Sequence, residues 1–158
     1  MDEARKRWDS LAKPLGSLGL LEDVVVRIAA LTGNANVHLN NRALLVLCAD
    51  NGVVAQGVTQ TDSLVTAAVA RTLGAGESTV CHMARTADCR VVPVDIGVLD
   101  FPGTAGVLDR RVRNGTGDIT QGPAMSRDEC LRAIEVGMEL VREQKAAWAD
   151  ILATGEMG

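Results

Sequence analysis

The sequence predicts an α/β protein with a parallel sheet. Ala43-Leu44-Leu45-Val46-Leu47-Cys48-Ala49 is a continuous apolar run closed by Asp50-Asn51-Gly52, the pattern of a strand buried on both faces. Two further runs, Arg90 to Asp95 and Asp150 to Ala153, follow it, with helical segments between them. Strands that alternate with helices in this way lie parallel and are joined by right-handed crossovers. With about three strands, and nothing following the last one to cover it, the sheet reads as incomplete.

Residues 2–12 are compatible with a short helix that ends in the turn-rich Lys13-Pro14-Leu15-Gly16-Ser17-Leu18-Gly19. Leu21, Val24, Val25, Ile28 and Leu31 then form one apolar helical stripe, and Gly33 supplies the stop. After the first strand, a loop to about Thr61 leads to a helix from Asp62 through Leu73, broken at Gly74-Ala75-Gly76, and a second helix runs from Glu77 to Thr86. Pro93 cannot donate a ladder hydrogen bond, which places the second strand at a sheet edge or gives it a bulge. Residues 97–125 lack periodicity, and so long a loop in a compact domain points to function. Ser126 and Glu129 have the spacing of a capping box, and Cys130, Leu131, Ile134, Gly137, Met138 and Val141 line one face of the helix that follows. Residues 1–40 therefore read as an N-terminal helical segment, and residues 41–158 as the first part of a parallel α/β domain cut short at its end.

Composition narrows the function classes. The net charge of −4 gives no general polyanion-binding surface, and one Phe and two Trp with no Tyr give no stacking platform, so nucleic acid is not expected as a partner. No 18-residue apolar run and no apolar leader occur, so no membrane contact is expected. Cys48, Cys81, Cys89 and Cys130 lack C-x-x-C spacing and three of them lie in apolar segments, which suits reduced, buried thiols in a cytoplasmic protein and leaves no expected metal site.

Parallel strands joined by right-handed crossovers deliver their carboxyl ends to one rim. Asp50-Asn51-Gly52, Asp95-Ile96-Gly97 and Gly155-Glu156-Met157-Gly158 should meet there. The glycines let backbone approach a ligand, and the carboxylates can accept hydrogen bonds from it. Asp50 and Asp95 have a second reading, as braces of their own turns. Arg110, Arg111 and Arg113 beside Asn114-Gly115-Thr116-Gly117 suit either an anion or a solvated turn. His82, between Cys81 and Met83, reads as a packed core or boundary histidine and not as a base or metal ligand. No G-x-S-x-G, P-loop or G-x-G-x-x-G occurs, which leaves nucleophilic hydrolysis and standard dinucleotide binding without support.

Taken in register, these segments resemble one family. Lys13-Pro14-Leu15-Gly16-Ser17-Leu18-Gly19 with Leu21-Glu22, Cys48-Ala49-Asp50-Asn51-Gly52-Val53 with Gly57-Val58 and Val65-Thr66, Val94-Asp95-Ile96-Gly97-Val98, Arg113-Asn114-Gly115-Thr116-Gly117, Ala124-Met125-Ser126 and Gly155-Glu156-Met157-Gly158 are similar to the nicotinate-nucleotide:dimethylbenzimidazole phosphoribosyltransferases. The resemblance implies a Rossmann-like parallel sheet with a smaller helical part formed from both chain ends, usually in a homodimer. It implies a cytoplasmic enzyme of cobalamin lower-ligand assembly, requiring no cofactor. Such an enzyme transfers phosphoribosyl from nicotinate mononucleotide to a benzimidazole, with inversion at the sugar carbon.

By this resemblance the segment from Asp50 to Thr66 lines the base slot, with Asp50, Asn51, Gly52, Thr61 and Thr66 as its binding residues. Arg113 and Gly115 join the substrate site, and Gly155, Glu156 and Gly158 lie by nicotinate and ribose. Thr61 stands where some relatives have a serine, and Val69, which has no hydrogen-bonding group, where they have a glutamine. The resemblance puts the phosphate contacts and the proton-accepting glutamate beyond residue 158, so no catalytic residue is expected in this chain, which alone should be inactive. Two competing readings are a base- or nucleotide-binding regulatory module completed by a second chain, and a structural protein whose exposed apolar surface drives self-association.

Overall fold

Strand β1, Arg42–Ala49, lies inside a four-stranded parallel sheet in the computed structural model, which describes residues 1–158. The other strands are β2 (Cys89–Gly97), β3 (Leu108–Asp109) and β4 (Ile151–Met157), in the order β3-β2-β1-β4. One more strand forms than the sequence predicts, because the two residues of β3 carry no periodic signal. Val94 and Asp95 pair with β3, so Cys89 to Pro93 have a partner only in β1. The expectation that Pro93 marks an edge therefore holds for that stretch of β2. β4 reaches Met157, beyond the expected Ala153, and pairs with β1 from Arg42↔Ile151 to Cys48↔Met157.

Two compact units share the chain, Met1–Leu39 and Asn40–Gly158. In the first, α1 (Asp2–Asp9) and α2 (Leu20–Thr32) enclose a small cluster of Ala4, Val26 and Ala29 backed by Trp8, Ala35 and Val37. Gly33 stops α2 in a left-handed conformation, φ 67°. The stripe expected on α2 is not the buried one. Glu22, Val26 and Ala29 are buried, while Leu21, Val24 and Leu31 are exposed. Glu22 is buried because its carboxylate is matched: Lys13 Nζ lies at 2.8 Å and the Leu18 N–H donates at 3.1 Å. The Lys13 contact chiefly, then the Leu18 bond, hold that carboxyl below its usual pKa.

In the second unit, helices cover both sheet faces. Helices α3 (Leu64–Gly74) and α4 (Thr79–Thr86) connect β1 to β2, and Val46 and Cys48 pack with Ala70, Leu73, Cys81, Val98 and Phe101. Helix α5 (Arg127–Ala146) connects β3 to β4 and packs Val136 and Leu140 on the opposite face, against Leu45, Val92 and Val94. The alternation of Leu45 with Val46 across the sheet is why β1 reads as apolar throughout.

The capping box of α5 forms as expected: Ser126 Oγ accepts the Glu129 N–H and Glu129 accepts the Ser126 N–H. The face read from its sequence, however, is the outer one. Leu131, Ile134, Met138 and Val141 are about half exposed and Cys130 is exposed, because the helix carries two apolar stripes and docks the one with Val136, Leu140 and Gln144. His82 is likewise exposed, its Nδ1 2.6 Å from Arg85 Nη2, and is not a core histidine. All four cysteines are free; Cys48 and Cys81 are buried, Cys89 is half-buried and Cys130 exposed. No helix is long and apolar enough to cross a membrane.

Candidate functional site at the strand ends

The chain leaves β1 for β2 and β3 on one side, then returns through α5 to place β4 on the other. The carboxyl ends of β1 and β4 therefore flank a topological switch point, where the diverging connections leave a crevice. A cleft of about 210 Å³ lies there. Asp50, Asn51, Met157 and Gly158 form its strand-end wall, and Val53, Val54, Val58 and Val65 its apolar wall. Thr61 and Thr66 also border it. Of the expected site residues it brings together Asp50, Asn51, Thr61, Thr66 and Gly158. Apolar walls with a few hydroxyl, amide and carboxylate groups suit a planar heterocycle carrying polar edges.

The cleft is held by the long loop between β2 and α5. The Asp50 N–H donates to Gly97 O at 3.0 Å, and Asp50 O accepts from the Thr116 N–H at 2.9 Å. Thr116 Oγ1 accepts the Gly52 N–H at 3.1 Å. Gly52 touches that loop so closely that a Cβ would lie 2.5 Å from Gly117 C and 2.6 Å from Asp118 N, so no other residue fits. From Gly52 a short 3₁₀ turn runs to Gln56 and starts the apolar wall. Gly115, buried at φ 68°, donates its N–H to Gly97 O at 3.1 Å.

Both strand-end aspartates are braces. Asp95 Oδ1 accepts the Gly97 and Val98 N–H groups at 3.0 and 2.8 Å, and Oδ2 accepts from Arg111 Nη2 at 2.7 Å. Asp50 Oδ2 accepts the Leu99 N–H at 2.7 Å. Asp95 is fully engaged and lies outside the cleft lining, whereas Asp50 borders it. Both backbone-bracing and cleft-facing readings therefore apply to Asp50.

The three loop arginines are spent internally. Arg110 pairs with Glu143 at 2.9 Å, Arg111 with Asp95 and with Phe101 O, and Arg113 with Glu129 at 3.1 Å. Arg113 also donates to Gly115 O at 2.6 Å and Ala124 O at 3.1 Å. Its role in this structure is to tie the loop to the start of α5. Glu129 is held below the usual carboxylate range chiefly by the Ser126 N–H bond. Gly155 packs inside the sheet, across from Val46, and Glu156 is exposed at the next position of β4, across from Leu47. Neither lines the cleft.

Residues that sequence reasoning passed over are Thr116, Leu99 and Met157. Thr116 and Met157 sit within quoted motifs, but only the folded loop shows that the Thr116 hydroxyl holds Gly52. No group of three or more His, Cys, Asp or Glu is arranged to hold a metal ion.

A phosphoribosyltransferase family profile matches residues 1–158. The chain belongs to this phosphoribosyltransferase family. Family members similar to it include the nicotinate-nucleotide–dimethylbenzimidazole phosphoribosyltransferases of Ruminiclostridium cellulolyticum and Acetivibrio thermocellus, each 42% identical over all of this chain and 45% of their own length. The crystal structure of CobT from Thermus thermophilus superposes with a TM-score of 0.91 at 41% identity, covering 99% of this chain and 47% of that one. The chain thus spans about half the length of the family members it matches.

Proposed function

We propose that this chain forms the base-binding half of a transferase that moves phosphoribosyl from nicotinate mononucleotide to 5,6-dimethylbenzimidazole. The observation that carries this reading is the valine-walled cleft at the β1/β4 switch point, in a chain 42% identical to enzymes named for that reaction. In the reaction a ring nitrogen of the base bonds to the ribose anomeric carbon from the face opposite nicotinate. The bond to the pyridinium nitrogen breaks with its electron pair, releasing nicotinate, and the other base nitrogen gives up its proton.

Rate in such a displacement comes from holding the two rings in line. Here the Val53, Val54, Val58 and Val65 wall, with Thr61 and Thr66, orients the base, and Asn51 and Gly158 stand where base meets sugar. Phosphate binding and proton acceptance are assigned to the portion of the relatives this chain does not match, since its loop arginines are internally paired. The four free thiols suit the reducing cytoplasm. The half-exposed apolar stripe of α5 favours association with further protein surface, a homodimer included.

The test is turnover. Mixed with nicotinate mononucleotide and dimethylbenzimidazole, the 158-residue chain should yield no α-ribazole phosphate. Fused to the unmatched half of the Thermus thermophilus relative, it should yield product. Transfer by the chain alone at the rate of an intact relative contradicts this division of labour, and an inactive fusion that is correctly folded contradicts the assignment of substrates.

A further inference from the structure

Asp50 is 3% exposed, yet only one of its oxygens is used: Oδ2 accepts the Leu99 N–H at 2.7 Å, and Oδ1 has no partner in the chain. No side-chain oxygen or nitrogen in the structure is at once fully occluded and unpartnered, so Oδ1 keeps an opening to the outside. Asp50 borders the cleft, on the wall it shares with Asn51 and Gly158. A carboxylate oxygen in that position, shielded from bulk water and fixed through its neighbour, is a preorganised acceptor for a ligand donor.

We propose that Asp50 Oδ1 accepts a hydrogen bond from a ribose hydroxyl of the bound nucleotide, making Asp50 the residue that selects a ribosyl over a deoxyribosyl donor. The inference rests on the proposed function, which brings a ribosyl group to the strand-end wall. Two features favour a hydroxyl as the donor. Asp50 stands at the strand termini, while the surface suited to a flat ring is the valine wall. A buried acceptor also discriminates strongly against a ligand lacking the matching donor, since that ligand leaves the oxygen unpaired. Asp50 is here a binding and positioning residue; it takes no proton.

The test is calorimetric titration of the 158-residue chain and of Asp50→Asn with nicotinate mononucleotide, its 2′-deoxy and 3′-deoxy forms, and dimethylbenzimidazole alone. Asp50→Asn keeps an oxygen for the Leu99 N–H and replaces the free acceptor with an NH₂. The native chain should bind the ribonucleotide about ten-fold or more tighter than one deoxy form. In Asp50→Asn that ratio should fall to about one. Equal binding of all three nucleotides by the native chain, or a ratio that survives in Asp50→Asn, overturns the assignment. Base binding without any nucleotide binding also overturns it while leaving the base cleft standing; failure of both ligands removes the proposed function as well.

Discussion

Gly52 shows how a single position couples strand β1 to the site. Its N–H is held by Thr116, and the space a Cβ would need is filled by backbone atoms of residues 116–118. Backbone cannot rotate away as a side chain can. Gly52→Ala should therefore cost about 2 kcal/mol or more of unfolding free energy, measured in denaturant, and should weaken ligand binding together with stability. An unchanged midpoint would show that the loop is not packed as described.

Cys48 offers a pH test. Burial first, then the nearby Asp95 carboxylate, push its thiol from 9.0 up to about 11. A raised folded-state pKa means the unfolded chain loses this proton first. Stability from Cys48 should be constant below about pH 9 and fall as the pH rises toward 11. Cys48→Ser should flatten that part of the stability curve, and a slope unchanged by the substitution would contradict the assignment. At this scale the sequence shows that Asp50, Gly52 and Asp95 belong together at one rim. It cannot show that Arg111 and Arg113 are neutralised, because their partners Asp95 and Glu129 lie 16 residues away in each case.

Among the elements, α5 separates what sequence reveals from what it hides. Its start is legible because the capping box is a local pattern, with both reciprocal hydrogen bonds formed between residues three apart. Its docking face is not, because periodicity reports that a stripe is apolar without saying what covers it. The stripe with more large apolar residues is the exposed one, and α2 repeats the lesson with Leu21, Val24 and Leu31. Leu140→Ala, which empties a fully buried position, should cost about 2–4 kcal/mol. Ile134→Ala, on the outer stripe, should stay within about 0.5 kcal/mol while the chain is monomeric. Similar losses from both in chemical denaturation would mean that the outer stripe is covered in solution. Strand β1 is legible end to end because burial on both faces removes polar residues from it.

In the whole molecule, the order β3-β2-β1-β4 and the placement of α3 and α4 opposite α5 create one crevice, and the cleft occupies it. Much of this is legible: alternating strands and helices predict parallel pairing, and parallel pairing predicts a shared rim. What chain order alone does not give is which strand ends sit side by side. Position along β4 decides the rest: Met157 and Gly158, at its end, border the cleft, while Gly155 and Glu156, earlier in the same motif, do not. The central claim, that this crevice receives an aromatic base, is tested most directly by titrating dimethylbenzimidazole into the purified chain in a calorimeter, beside Thr66→Leu, which fills the cleft from a buried helix position. Saturable one-to-one binding that Thr66→Leu abolishes is expected; no saturable binding, or equal binding by both proteins, would show that the base does not enter this crevice.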